Sequence, residues 1–260
     1  MQRIHALLVS ALLFSVGLSQ AHAGPVLWIG DSTGRLGKVD VGTNTVSVVG
    51  GMGVVMTDLA FSPTGDLYGM SFTNLYKIDK STGASTLIGA HGISGGNALV
   101  FGADGTLYGA GGALLYSINT GTGAGSLLGN MGYSSGGDLA FQGGNLFLAT
   151  SSNLVQISLP SASGTLVGAF GGGRNLVYGM ATAGGILYGV NNTSIFSIDS
   201  ATGAGTALIN YGGQGLGNAY GTTFFAEAAS VPEPSTLAGF AVATCFTIGL
   251  VRRKGRSMTS

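Results

Sequence analysis

Hydrophobic residues in this chain come in short clusters broken by glycine, proline and small polar residues, and the central region never settles into a long helical period. The segment "DLAFSPTGDLYGMSFTNLYKIDKSTGASTLIGA", Asp58 to Ala90, shows the layout. Its apolar clusters are Leu59-Ala60-Phe61, Leu67-Tyr68-Gly69, Leu75-Tyr76-Lys77-Ile78 and Thr86-Leu87-Ile88. Between them stand turn sequences such as Pro63-Thr64-Gly65-Asp66 and Ser81-Thr82-Gly83. Glycine reaches positive φ there at little steric cost, and Asp or Ser bonds its own backbone to start the turn. In the third cluster Leu75 and Lys77 fall on one face and Tyr76 and Ile78 on the other, which is the period of a strand. The segment therefore predicts four short strands joined by tight turns.

The same layout returns along the chain. The pairs Leu27-Trp28, Leu67-Tyr68, Leu107-Tyr108, Leu146-Phe147 and Leu187-Tyr188 are spaced by 40, 40, 39 and 41 residues. A second series, Asp40, Asp79, Asn119, Ser158 and Asp199, follows at 39, 40, 39 and 41. A third is Gly83, Gly123, Gly164 and Gly203, with Asn44 in the first unit. Three series sharing one period establish an internal repeat, and four strands in about 40 residues is the pattern of a β-propeller blade.

The ends complement each other. The repeat region opens at a second-strand sequence, "VLWIGDS", and finishes with "GNAYGTTFFAEA", where Asn218 and Tyr220-Gly221 echo Asn175 and Tyr178-Gly179. The predicted fold is thus all-β: a five-bladed propeller, four blades complete and one shared, closed by pairing a C-terminal strand with the N-terminal blade. Such pairing removes an open sheet edge. A glycine-rich β-solenoid is the competing arrangement and has no use for complementary ends. The aromatic series Trp28, Tyr68, Tyr108, Phe147 and Tyr188 fills one place in every unit, which predicts packing between sheets rather than a sugar-stacking ring. The hairpins "LAFSPTGDLYGM", "LVFGADGTLYGA" and "LAFQGGNLFLAT" resemble blades of the NHL and YVTN type, and this likeness covers nearly the whole repeat region.

Composition changes the picture in two ways. Forty-nine glycines would by themselves suggest low complexity, but their periodic placement assigns them to turns. Charge is divided unevenly: residues 24–228 hold five Lys or Arg against nine Asp or Glu, a net of −4, while four of the ten basic residues fall in the last nine positions. No basic stripe exists for nucleic acid. The only cysteine, Cys245, lies near the C-terminus, so the repeat region has neither a disulfide nor a cysteine metal site.

Candidate chemistry is sparse. Gly92 to Gly96, "GISGG", and Gly132 to Gly136, "GYSSG", match the nucleophile-elbow pattern around Ser94 and Ser134. That motif needs a strand-to-helix turn with a later acid and histidine, whereas His91 precedes both serines. A zinc site needs three or four converging donors, so His91 is expected to be a solvated loop residue rather than a ligand. "GADGT" and "PTGD" each offer one carboxylate, too few for calcium. No metal and no cofactor is expected. Asp58 and Asp138, opening the first strand of alternate units, are the candidate ligand contacts at a channel mouth; the plainer expectation is that they cap the preceding turns.

Both termini read as targeting segments. Residues 1–23 carry Arg3, an apolar stretch from Ala6 to Leu18 and Ala21-His22-Ala23, the layout of a secretory signal peptide. At the other end, a linker (229–236) contains Pro232-Glu233-Pro234, followed by an uncharged apolar run (237–251) and a basic tail (252–260) with Arg252, Arg253 and Lys254. As a helix, fifteen residues would span about 22 Å, short for one membrane crossing. The basic cluster favours the cytoplasmic side. The three elements in this order resemble the PEP-CTERM sorting signal of exported bacterial proteins. The resemblance implies recognition at Pro232-Glu233-Pro234 by an exosortase-type membrane protease, transient residence in the inner membrane, and release to the cell surface or an exopolysaccharide matrix.

The sequence thus leads to an exported, non-catalytic surface or matrix propeller that offers a rigid face to a polysaccharide or surface protein. The alternative is a secreted glycan-active enzyme, a lyase or hydrolase using channel-mouth carboxylates.

Overall fold

The structure is a computed structural model, and it describes residues 23–159, 161–225 and 227. The expected signal segment as far as residue 22, the Pro-Glu-Pro linker, the apolar run and the basic tail lie outside the described residues.

Twenty strands and no helix occur among the described residues. Blade 1 contains β1 (Val26–Asp31), β2 (Arg35–Asp40) and β3 (Thr45–Gly51). Blade 2 contains β4 (Asp58–Phe61), β5 (Leu67–Met70), β6 (Asn74–Ile78) and β7 (Ser85–Ala90). Blade 3 follows with β8 (Gly96–Phe101), β9 (Leu107–Gly111), β10 (Leu114–Ile118) and β11 (Gly125–Asn130). Blade 4 is β12 (Asp138–Gln142), β13 (Asn145–Ala149), β14 (Asn153–Ser158) and β15 (Ser163–Ala169). Blade 5 is β16 (Val177–Ala183), β17 (Ile186–Asn191), β18 (Ser194–Ile198) and β19 (Gly205–Asn210), and β20 (Ala219–Phe224) ends the series.

Each of the five sheets is a four-stranded antiparallel meander. The innermost strands β4, β8, β12, β16 and β20 neighbour one another in turn, and β20 also meets β4, so the sheets form a ring. Blade 1 is composite, with strand order β20-β1-β2-β3. Leu27 lies opposite Phe224 and Gly30 opposite Gly221, as the complementary ends predict. Asp31, fully buried, fastens this seam: its carboxylate accepts from the amides of Thr33, Arg35 and Gly217 at 2.8, 2.9 and 2.8 Å.

The core lies between blades. Leu36, Met52, Met56, Leu59, Phe61, Leu67 and Ile78 form one apolar cluster joining blades 1 and 2, and equivalent clusters follow around the ring. Leu75 and Ile78 are both buried although they face opposite ways, because a neighbouring sheet covers each face. The repeated aromatics sit at these junctions. Trp28 meets Phe61, Tyr68 meets Phe101, Tyr108 meets Phe141 and Tyr188 meets Phe224, with ring centroids 5.4, 5.3, 5.8 and 5.1 Å apart. Phe147 joins the cluster between blades 4 and 5, where Thr182 takes the place of the partner phenylalanine. Such edge and tilted contacts suit the aromatic quadrupole and add to area burial.

The third sequence series needs one correction. Asn44, Gly83, Gly123 and Gly203 adopt φ of 54°, 80°, 82° and 79°, and in each unit the amide four residues after the Asp or Asn returns to its carbonyl. In blade 4 that position is Ala162, at φ 51°, and not Gly164. Gly164 belongs with Gly125 and Gly205, whose amides donate to the carbonyls of Met131, His91 and Phe170 respectively for residues 164, 125 and 205.

Candidate functional site: the channel mouth and the carboxyls beneath it

Strand register fixes which residues are equivalent at the ring's centre. Asp58, Ala98, Asp138, Gly179 and Gly221 stand opposite Met70, Ala110, Ala149, Val190 and Gly30 of their second strands. One residue earlier in each inner strand come Thr57, Asn97, Gly137, Tyr178 and Tyr220. These five, with Phe72 from the β5–β6 turn and Gly136, line a pocket of about 340 Å³. The channel mouth is therefore built from this earlier ring, and the aspartates form the layer below it.

Both aspartates are fully buried. Asp58 accepts the Leu59 amide on Oδ1 at 2.7 Å and the Leu99 amide of blade 3 on Oδ2 at 2.5 Å. Asp138 does the same with Leu139 at 2.7 Å and with Met180 of blade 5 at 2.5 Å. Each side chain thus ties its blade to the next, where the sequence had offered a turn cap. Thr222 of blade 1 also donates to Asp138 Oδ2, at 3.3 Å. Gly221 is required beside them, since a Cβ there would stand 2.3 Å from the Asp58 Cα.

The two buried carboxyls lie close enough to influence each other's ionisation. Burial pushes both well above the usual carboxylate range, and for Asp138 the neighbouring Asp58 charge adds to the effect. Burial and a like-charged neighbour both favour the neutral form, so the pair resists full ionisation. Glu227 places a third carboxyl nearby. It accepts from Thr223 Oγ1 at 3.1 Å, and burial followed by the Asp138 charge raises it well above its ordinary value. No group of three or more His, Cys, Asp or Glu side chains positioned to hold a metal ion occurs among the described residues.

The remaining sequence candidates take structural places. His91 is 2% exposed, which overturns the expectation of a solvated loop residue. It follows β7 directly, in a slot that Met52, Met131, Phe170 and Tyr211 occupy after the other outer strands, all of them buried. Its Nδ1 accepts the Ile93 amide at 3.0 Å, so Nε2 carries the proton and donates to the Ser71 carbonyl at 3.0 Å. Ser94 and Ser134 are exposed and lead into strands β8 and β12 rather than a helix, so neither has the backbone of a nucleophile elbow.

Sequence reasoning missed Thr57, Asn97, Tyr178 and Tyr220 as mouth residues. The signal was present in the echo of Tyr178-Gly179 by Tyr220-Gly221, but the eye goes to carboxylates. No model of a known family matches the chain, and no curated protein does. Solved structures share the fold. One, from work on the de novo evolutionary emergence of a symmetrical protein shaped by folding constraints, superposes with a TM-score of 0.50 at 20% identity, covering 74% of this chain and 96% of its own. Another, from the crystal structure of a nidogen/laminin complex, gives 0.53 at 12% identity, covering 77% and 98%.

Proposed function

We propose that the chain is an exported β-propeller with a non-catalytic binding or scaffold role, delivered to the cell surface or the extracellular matrix. Delivery rests on the C-terminal sequence: Pro232-Glu233-Pro234, the apolar run 237–251 and Arg252-Arg253-Lys254 stand in the order that exosortase substrates share. The binding role rests on one observation. The titratable groups of the channel are sealed and bonded beneath the mouth, while the mouth itself is an uncharged, aromatic-lined hollow.

The glycan-active enzyme fares worse on the same geometry. A glycosidase holds its two carboxyls about 5–9.5 Å apart with the sugar between them. Asp58 and Asp138 are fully buried, and each spends both oxygens on backbone amides, which leaves neither exposed to flank a glycosidic bond.

Delivery is tested by mass spectrometry of the C-terminus of the protein recovered outside the cell. Cleavage near Pro232-Glu233-Pro234 is expected, and replacing the three residues by alanine should strand the chain at the inner membrane. An intact tail through Ser260 on the surface-exposed protein would refute processed sorting.

A further inference from the structure

We propose that the channel mouth binds a neutral pyranose ring, as a terminal unit or short stretch of an uncharged polysaccharide. The inference rests on the reading of the chain as a binding module and gives that module its ligand class.

Aromatic side chains are the first indication. Around the ring of equivalent positions only blades 5 and 1 supply aromatics, Tyr178 and Tyr220, and blade 4 supplies no side chain at all, only Gly137. The two tyrosines meet edge to face, with centroids 5.8 Å apart and planes at 87°. Phe72, on the rim, is 63% exposed. None of the three belongs to the apolar clusters that join the blades. Their positions are therefore not explained by packing, unlike those of Trp28 or Tyr68.

Unused hydrogen-bonding capacity is the second. Asn97 spends its Nδ2 on the Ser135 carbonyl at 3.3 Å, while its buried Oδ1 has no partner, and neither does the buried Ser135 Oγ. Neither the Tyr178 nor the Tyr220 hydroxyl is hydrogen-bonded among the described residues. Thr57 Oγ1 donates toward the Met70 and Gly96 carbonyls at 3.0 and 2.9 Å, which leaves its lone pairs to accept.

These two features together select the ligand. No lining residue is charged, so nothing pairs with an anion, and the acidic balance of the repeat region repels one. A wholly apolar ligand would exclude water from the tyrosine hydroxyls without replacing its bonds, at a cost of about 1–3 kcal/mol per group. A pyranose satisfies both demands, since its C–H face stacks on an aromatic ring while its hydroxyls reach outward. The pocket, about 340 Å³, falls at the low end of the roughly 300–1,000 Å³ range of small-molecule sites, a size for one or two sugar rings.

The test is calorimetric titration of the full-length chain in zwitterionic detergent, with tyrosine ring resonances followed by NMR. Probes are neutral hexo-oligosaccharides, uronate oligomers of equal length and a flat aromatic dye. A neutral series should bind and shift Tyr178 and Tyr220, and Tyr220→Ala should weaken binding roughly ten-fold without altering the melting temperature. Phe72→Ser should cost less. Binding of uronates or dye at these rings without the neutral sugars would overturn the sugar assignment and leave a binding module. Neutral sugars that bind without moving the rings, or equally well to Tyr220→Ala, would overturn the placement. If no probe moves either ring, both the sugar assignment and the mouth as a recognition surface fall.

Discussion

His91 and Ala162 each fill a slot that other blades fill differently, and each carries a cost that the repeat pattern makes visible. His91 occupies an anchor position otherwise held by Met, Phe or Tyr, so it is buried as the neutral imidazole. Burial lowers its pKa below the ordinary value of 6.5, partly offset by the bond to the Ser71 carbonyl. As pH falls, the unfolded chain therefore takes up this proton first. The stability involved is complete above the unfolded pKa and is lost as pH drops through it toward the folded one. His91→Met should shrink the difference in melting temperature between pH 7 and pH 5, and equal differences for variant and parent would contradict the assignment. Ala162, at φ 51°, sits in the left-handed region at a strain of about 1–2 kcal/mol for a residue with a Cβ. From sequence, the glycine two residues later looked like the natural occupant, because residue type was legible and φ was not.

At the scale of the strand, the inner elements differ from the outer ones. Inner strands are buried on both sides and linked laterally by Asp58 and Asp138, whose carboxyls reach the amides of Leu99 and Met180 in the next sheets. Because burial raises both aspartates, the unfolded chain ionises first as pH rises. Their contribution is full below about pH 4 and declines upward until the buried pair itself ionises. Asp138→Asn should flatten the loss of stability between pH 5 and pH 8 in denaturant titrations; an unchanged slope would mean that burial does not hold this carboxyl neutral. The outer strands β3, β7, β11, β15 and β19 contain no charged residue and expose Val48, Leu87, Leu127 and Leu166 at matching positions. Their pairing with the third strand shifts register in every blade, a bulge that bends the edge away from further strand addition.

For the whole molecule, the decisive contact is between residues far apart in the chain. β20 closes the ring on β1, and Asp31 holds the loop leading into β20 through the Gly217 amide, 186 residues away. Burial alone would raise the Asp31 pKa, but the amides of Gly217 and Arg35 and the groups of Thr33 outweigh it and hold the carboxyl below its usual range. Asp31→Ala strands several part-buried donors. It should cost about 2–3 kcal/mol in urea unfolding, with faster hydrogen exchange confined at first to β1 and β20. Uniform exchange across all five sheets would show that the seam is not the weak point.

Sequence alone determined the repeat, the strand count per unit, the turn chemistry and the shared blade, because each follows from local spacing and from residue types that allow few conformations. It also marked the aromatics that fill the blade junctions. What needed the tertiary structure was depth. Whether Asp58, His91 or Tyr220 meets water depends on how five sheets converge at one axis, and a step of one residue along the inner strand separates a sealed carboxyl from an open mouth. Local pattern cannot carry that distinction, since burial is a property of the ring and not of any strand within it.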